Sequence, residues 1–356
     1  MSELQDRPAP PREGEELDPA AIRAYLDSVL PQFDGDIAVR QFPGGASNLT
    51  YLLTIGDRQL VLRRPPFGTK AKSAHDMDRE YRILSRLSDV FRYCPRPLAY
   101  CDDPLVLGEP FYLMERIEGI VLRRELPPGL SLDPAAAGKL CRNLIDVHLE
   151  LHSIDIESAG LRDLGKPQGY IARQVDGWSG RFRNARTEDV PDNEALMDWL
   201  KDNQPSDTGR GAIIHNDYKF DNVVLGQHDL GIIGVLDWEM ATLGDPLMDL
   251  GCSLAYWIQA DDPRAMQQLR MMPTQLPGMM TRRELVDYYS ERAGVAAGDF
   301  RFYYAFGLFR LAVIVQQIYF RFARGQTRDR RFADFGQMCS LLSGTALAVT
   351  RGQRSL

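Results

Sequence analysis

Between two short β-rich runs lies His215-Asn216-Asp217-Tyr218-Lys219-Phe220-Asp221-Asn222, a segment in which an aspartate and an asparagine stand five residues apart. A carboxylate and an amide at that spacing could share the work of phosphoryl transfer. Asp217 would orient an attacking hydroxyl and accept its proton, and Asn222 would offer a hard oxygen to a magnesium ion on the phosphates. Lys219, two residues after the aspartate, adds a cation able to neutralise charge on the moving group. Taken alone, Asp and Asn in a loop serve more often as turn and capping residues. Fifteen residues beyond Asn222, however, Leu236-Asp237-Trp238 closes the apolar run IIGVL. A carboxylate there can project into a cleft as a second magnesium ligand; its plainer reading is a cap on the next turn. Glu239 reads as a further metal carboxylate, or equally as a solvent-facing side chain or one that supports the metal ligands from behind.

Upstream, the turn Gly44-Gly45-Ala46-Ser47-Asn48 offers unhindered backbone amides and a hydroxyl to a triphosphate, although most Gly-Gly pairs between strands are only hairpin turns. Arg63 ends the strand-like LVLR, and Glu80 lies on the helical stretch that follows, so the two could form an ion pair beside the phosphates. Asp245 before Pro246 reads as an N-cap with proline at the first helical position, and Asp249 as a residue that ties down the 215–222 loop. His148 and His152 are four apart on a helix, a spacing that could bind a metal, but no third ligand is in sequence reach and they read as core or surface histidines. The arginines at 321, 324, 328, 330 and 331 read as a solvated face, with the phosphates of a CoA-type acceptor as the sharper alternative.

These residues need a frame to hold them. Apolar residues make up 44% of the 356 positions, enough for a sizeable core, and the length favours two lobes over one. Lys and Arg total 42 against 49 Asp and Glu, a formal charge of −7, which argues against a broad nucleic-acid-binding face. Five cysteines without a CxxC pair fit neither a disulfide framework nor a zinc site. No stretch reads as a secretory signal or an uninterrupted membrane span, so a soluble cytoplasmic protein without a membrane partner is expected. Residues 1–17, rich in Pro and acidic groups, are expected to form a mobile tail. A helix follows from Asp18 to before Pro31, then a three-strand antiparallel meander (VRQF, LTYLLTI, QLVLRR), a helix from Ser73 to Leu87, and strands near 97–101 and 111–117. Helical periodicity dominates afterwards, near 134–153, 192–202, 246–258, 282–293, 299–324 and 331–349. The exceptions are three β-rich runs, GAIIHND, DNVVLG and IIGVLDW, in the middle.

The segments HNDYKFDNVV and LDWEMATLGDPLMDL resemble the phosphotransferase family of aminoglycoside phosphotransferases, choline kinases and related small-molecule kinases. With GGASN, VLRRPP and SAHDMDREYRIL they are most similar to the kinase-like domains associated with acyl-CoA dehydrogenases. The resemblance implies an α+β, protein-kinase-like two-lobed fold: a sheet-rich nucleotide-binding lobe over 18–115 and a mainly helical catalytic and acceptor-binding lobe over 116–356. It implies Asp217 as catalytic base and His215 as support for its loop, with Lys219 beside them. Asn222 and Asp237 would hold magnesium. ATP would be cradled by Gly44, Gly45, Ser47, Asn48, Arg63 and Glu80, with a hinge at Met114, Glu115 and Arg116 along the adenine. Arg63 stands where the family usually has lysine; it keeps the charge but brings a bulkier fork. The expected reaction moves the γ-phosphoryl group of ATP to the hydroxyl of a small molecule, a hydroxyacyl-CoA first and an aminoglycoside, choline or sugar second. A nucleotide-binding module without turnover is the rival from another class.

Overall fold

A computed structural model describes residues 8–43, 48–67, 76–207, 209, 211–296, 298–327 and 329–356. Residues 8–17 lie on the first sheet: Ala9 exchanges backbone hydrogen bonds with Gln41, Tyr51 donates to the Glu15 carbonyl, and Leu17 is buried. The acidic composition of this stretch concealed the one leucine that anchors it. Asp18 then caps α1 (Pro19–Val29), its carboxylate accepting from the Ala20 amide at 2.9 Å.

Five antiparallel strands follow in the spatial order β1-β2-β3-β5-β4: β1 (Ile37–Gln41), β2 (Leu49–Ile55), β3 (Arg58–Arg64), β4 (Pro97–Cys101) and β5 (Phe111–Glu115). The helix α2 (Met77–Leu87) connects β3 to β4, and a single turn, α3 (Pro104–Leu107), connects β4 to β5. Strand side chains alternate between the two faces of a sheet. Leu49, Tyr51, Leu53 and Ile55 of β2, Leu60 and Leu62 of β3, and Phe111 and Leu113 of β5 therefore share one face, and Ile22 and Leu26 of α1 close over them. Burying each such side chain is worth about 1.5–3 kcal/mol. Arg63 falls on the other parity. It pairs in register with Tyr112 and leaves the sheet on the face opposite this core.

Three helices come next: α4 (Pro134–His152), α5 (Tyr170–Ala185) and α6 (Glu194–Asp202). The sequence pattern marks α4 and α6 but not α5. Its start is Gly169 in the left-handed conformation (φ 65°) with no side-chain cap, and Gly177 and Gly180 dilute its apolar stripe. The three central β-rich runs do not form one sheet. β6 (Ala212–Ile214) pairs with β9 (Thr242–Gly244), and between them in sequence β7 (Val223–Leu225) pairs with β8 (Ile232–Val235) as a hairpin. The chain ends in α7 (Pro246–Ala255), α8 (Arg264–Gln268), α9 (Arg282–Ala293), α10 (Arg301–Ala323) and α11 (Phe335–Thr350).

By its contacts the chain divides into two compact units. The first holds residues 1–121, 127–129 and 222–240, so the β7–β8 hairpin groups with the five-stranded sheet; the second holds 122–126, 130–221 and 241–356. In the second unit α7 and α10 touch backbone to backbone. A Cβ at Gly307 would sit 2.1 Å from the Gly251 carbonyl oxygen, and one at Gly251 would sit 2.3 Å from that of Tyr303. α10 is long and apolar enough to cross a membrane, yet 61% of its most apolar 18-residue window is buried. Its apolar side chains are spent on α5, α7 and α11, which is the position of a core helix.

Candidate active site

The residues singled out from the sequence fall into two groups, one in each unit. In the first unit Arg63 is almost fully buried and meets three carboxylates. Its Nε lies 3.2 Å from Glu80 Oε2, and its Nη2 lies 2.5 Å from Asp237 Oδ1 and 3.2 Å from Glu239 Oε2. Glu80 comes from the buried face of α2, whose N-cap Asp76 accepts from the Arg79 amide. Burial works against the guanidinium charge, but Glu80 and then Asp237 more than offset it and hold the Arg63 pKa well above its usual value. Burial likewise pushes the Glu80 carboxyl upward, against the pull of Arg63. The Arg63–Glu80 pair anticipated from the sequence is thus formed, and its fork reaches farther than anticipated, onto Asp237.

The β7–β8 hairpin carries the two residues expected from the sequence to offer oxygen ligands, Asn222 and Asp237. Val223 pairs with Val235, and the Leu236 amide donates to the Asn222 carbonyl at 2.8 Å, so Asn222 and Asp237 emerge at the same end of the hairpin. Asp237 has φ 67°, a left-handed backbone that Asp tolerates better than most residues and that turns the chain away from the strand. Trp238 is buried behind it, its indole donating to the Val235 carbonyl at 2.9 Å and its ring edge-on to Phe91. A carboxylate and an amide oxygen held at one end of a rigid hairpin are a hard-donor set suited to magnesium. Asn48 is buried, its amide donating to Glu239 Oε2 at 2.8 Å. Glu239 thus holds Arg63 and Asn48 together, a supporting part rather than a solvent-facing one. Gly44, Gly45 and Ser47 of the same turn lie outside the described residues. Met114 is buried on β5 in register with Val61, the exposed Glu115 donates its amide to the Arg96 carbonyl at 2.9 Å, and Arg116 contacts the Gln59 side chain.

The second unit carries the loop that opens at β6. Lys219 Nζ lies 2.5 Å from Asp217 Oδ2 and 3.7 Å from Asp221 Oδ1, and sits 4.4 Å above the Tyr256 ring. Burial works against the ammonium, but Tyr256, Asp217 and Asp221 more than offset this and raise its pKa above the usual lysine value. His215 is fully buried, and its Nδ1 accepts the Asp217 amide at 3.2 Å. Asn216 adopts φ 64° and its side-chain oxygen accepts from the Tyr170 hydroxyl at 3.2 Å.

Asp249 holds this loop. The β6–β9 ladder leads directly into the Asp245 cap of α7, which places the first turn of α7 beside the loop. There Asp249, with no exposed surface, accepts the His215 amide on Oδ2 and the Asn216 amide on Oδ1, each at 2.7 Å. His148 and His152 also approach Oδ2 through Nε2, at 3.0 and 3.1 Å. An ionised carboxylate only accepts, so both rings donate Nε2–H to it, and His152 Nδ1 is left to accept from the Tyr289 hydroxyl at 2.8 Å. Sequence spacing lacked the third group of this cluster because it lies 97 residues beyond His152. Burial, then the neighbouring His152, lowers His148 to about 4. Burial works against the Asp249 carboxylate, yet His148 and His152 more than offset it and hold its pKa well below the usual range. A cavity of about 10 Å³, room for no more than one water, lies behind Lys219 and His148, walled mainly by apolar side chains.

The exposed Arg321, Arg324, Arg330 and Arg331 are scattered in role: Arg331 pairs with Asp329 at 2.6 Å and Arg324 lies over the Phe320 ring. Arg328 lies outside the described residues.

Residues 38–285 match the profile of the phosphotransferase enzyme family. Acyl-CoA dehydrogenase family member 10 of Mus musculus is 34% identical over 329 residues, covering 92% of this chain and 30% of that protein. Acyl-CoA dehydrogenase family member 11 of Homo sapiens is 31% identical over 342 residues, covering 94% of this chain and 43% of that protein. The chain thus spans less than half the length of these curated relatives. Among solved structures, a Ralstonia eutropha protein assigned as an aminoglycoside phosphotransferase superposes with TM-score 0.79 at 30% identity, over 95% of this chain and 99% of that one. Choline kinase from Cryptosporidium parvum superposes with TM-score 0.63 over 94% and 96% of the two chains, a likeness of fold alone at 14% identity. The fold is therefore protein-kinase-like, and the chain belongs to the phosphotransferase enzyme family.

Proposed function

We propose that this protein is an ATP- and magnesium-dependent kinase that transfers the γ-phosphoryl group to a hydroxyl of a small molecule carried as an acyl-CoA thioester. The observation that carries the reading is the buried Arg63 fork, which ties Glu80 to Asp237 in the sheet-rich unit. That unit is read as the nucleotide-binding part, with the strand end at Met114, Glu115 and Arg116 bordering the adenine and Arg63 directed to the phosphates. Asn222 and Asp237 would hold magnesium, which when bound draws charge from the phosphate oxygens. Asp217 aligns the acceptor hydroxyl and receives its proton, on a backbone kept in shape by His215 and Asp249. Lys219, kept charged by its neighbours, balances negative charge on the phosphoryl group. Support for the acyl-CoA acceptor comes from the names of the relatives that share this domain. The 30% identity to the Ralstonia eutropha protein favours an aminoglycoside as the second reading.

The test is incubation with MgATP and a panel of hydroxyacyl-CoAs, aminoglycosides, choline and sugars, read by mass spectrometry. Asp217→Asn is run beside the wild type, with nucleotide affinity measured on both. Expected is one phosphorylated acyl-CoA product, reduced at least a hundred-fold by Asp217→Asn while ATP affinity stays within about two-fold. A phosphorylated aminoglycoside would establish the second reading. Turnover left intact by Asp217→Asn would remove the base assignment, and absence of ATP binding would end the kinase reading.

A further inference from the structure

Asp249, Cys252 and Tyr256 stand at i, i+3 and i+7 of α7, with Tyr256 as the capping residue, so they lie along one face of the helix. The first of them holds the His215 and Asn216 amides. The last lies under Lys219, its ring 4.4 Å from Nζ, and Lys219 in turn pairs with Asp217 at 2.5 Å; burial and then the Asp217 carboxylate push the Tyr256 hydroxyl pKa upward. One helix face thus holds the loop at its backbone on one side and, through Lys219 and its pair with Asp217, at its charged side chains on the other.

Behind this face stands a buried cation. Arg310 is 3% exposed, and its guanidinium lies 5.2 Å over the Trp178 ring. Its position follows from the close approach of α7 and α10: Gly307 meets Gly251 backbone to backbone, and Arg310 is one turn farther along the same side of α10. A buried charge is costly to keep unless it does something for its neighbours. Burial works against the Arg310 charge, and Cys252, then Tyr256 and Asp217, more than offset it and hold its pKa above the usual value.

We propose that Tyr256 and Arg310 are positioning residues for Asp217: the Tyr256 hydroxyl sets the rotamer of the carboxylate, its ring seats Lys219, and Arg310 fixes α7 and supplies positive charge behind both. This rests on the reading of Asp217 as the residue that aligns the acceptor hydroxyl.

The test uses the full chain. Tyr256→Phe keeps the ring beneath Lys219 and deletes only the hydroxyl. Expected is a fall in kcat of about ten-fold, with KM for ATP within two-fold and Tm unchanged. Arg310→Met is expected to lower kcat as well, and Arg310→Lys to restore part of it. A kcat for Tyr256→Phe within two-fold of wild type, or one lost only together with Tm, would overturn the proposal. A second readout needs no turnover. In protein labelled with 13Cζ-tyrosine, the Tyr256 resonance is assigned by its loss in Tyr256→Phe, and it is expected to shift in Asp217→Asn. An unmoved resonance would overturn the contact. If the wild type phosphorylates nothing, the kinase reading has failed, and the resonance still decides whether Tyr256 holds Asp217.

Discussion

At the scale of single residues, charge is concentrated where water is scarce. Arg63 and Glu80 are both buried, with side chains 10% and 2% exposed, and Asp237 and Glu239 lean on the same guanidinium from partly open positions. Removing one partner of such a pair strands the other in low dielectric, a cost of about 3–5 kcal/mol. Arg63→Met is therefore expected to lower the unfolding free energy measured in urea by that amount, and Arg63→Met with Glu80→Leu to recover most of it, as a double-mutant cycle would register. His148 supports a second expectation. In the folded chain it is lowered to about 4, against 6.5 in an unfolded one. The unfolded chain therefore binds more protons between those values, and stability falls as pH drops through that window. Asp249, held well below the usual carboxylate range, acts in the same direction at lower pH. Between pH 7 and pH 5 the His148 contribution amounts to about 2 kcal/mol; denaturant unfolding at the two pH values should show it, and His148→Gln should flatten the slope. The residue types at 63, 80, 217, 222 and 237 were legible because phosphoryl transfer needs those chemical groups in that order along the chain. Tyr256 was not, and the part of Glu239 stayed open among alternatives, since an aromatic at a helix end and a carboxylate in a turn have many commoner uses.

At the scale of elements, what mattered was how closely backbones approach. The contact between α7 and α10 depends on Gly251 and Gly307, and the atoms a new Cβ would strike are main-chain atoms that cannot rotate away. Gly307→Ala should therefore destabilise by about 1–3 kcal/mol or more through overpacking. Gly344→Ala, at an exposed α11 position with nothing within 4 Å, should stabilise by about 0.5–1 kcal/mol by restricting the unfolded chain. Opposite shifts in the thermal midpoint would check the pair. The same physics explains which elements were visible beforehand. α1, α4 and α7 begin with Asp-Pro caps, and β1, β2 and β3 are short β-rich runs; α5 has no cap and two interior glycines, and disappeared from view. β9 is three residues long and gains strand character only by pairing with β6, which ends 28 residues before it begins.

At the scale of the whole molecule, all five cysteines are buried and unpaired, and burial raises the thiols of Cys94, Cys101, Cys141, Cys252 and Cys339 above their usual pKa. Raised, inaccessible thiols react slowly. A thiol reagent should find essentially none in the native protein and five after denaturation, and reductant should leave Tm unchanged. The amino-acid sequence by itself determined the chemistry and the class of fold. Residue types at set spacings limit the reactions available, and periodicity with caps limits the elements, because both are local properties of the chain. Tertiary structure alone decided that Arg63 reaches Asp237, that Asp249 gathers His148, His152 and two loop amides, and that α7 meets α10 through glycine. Each of these joins residues 33 to 174 positions apart. Such contacts depend on which faces pack together, and the free energy that selects them is shared across the whole core.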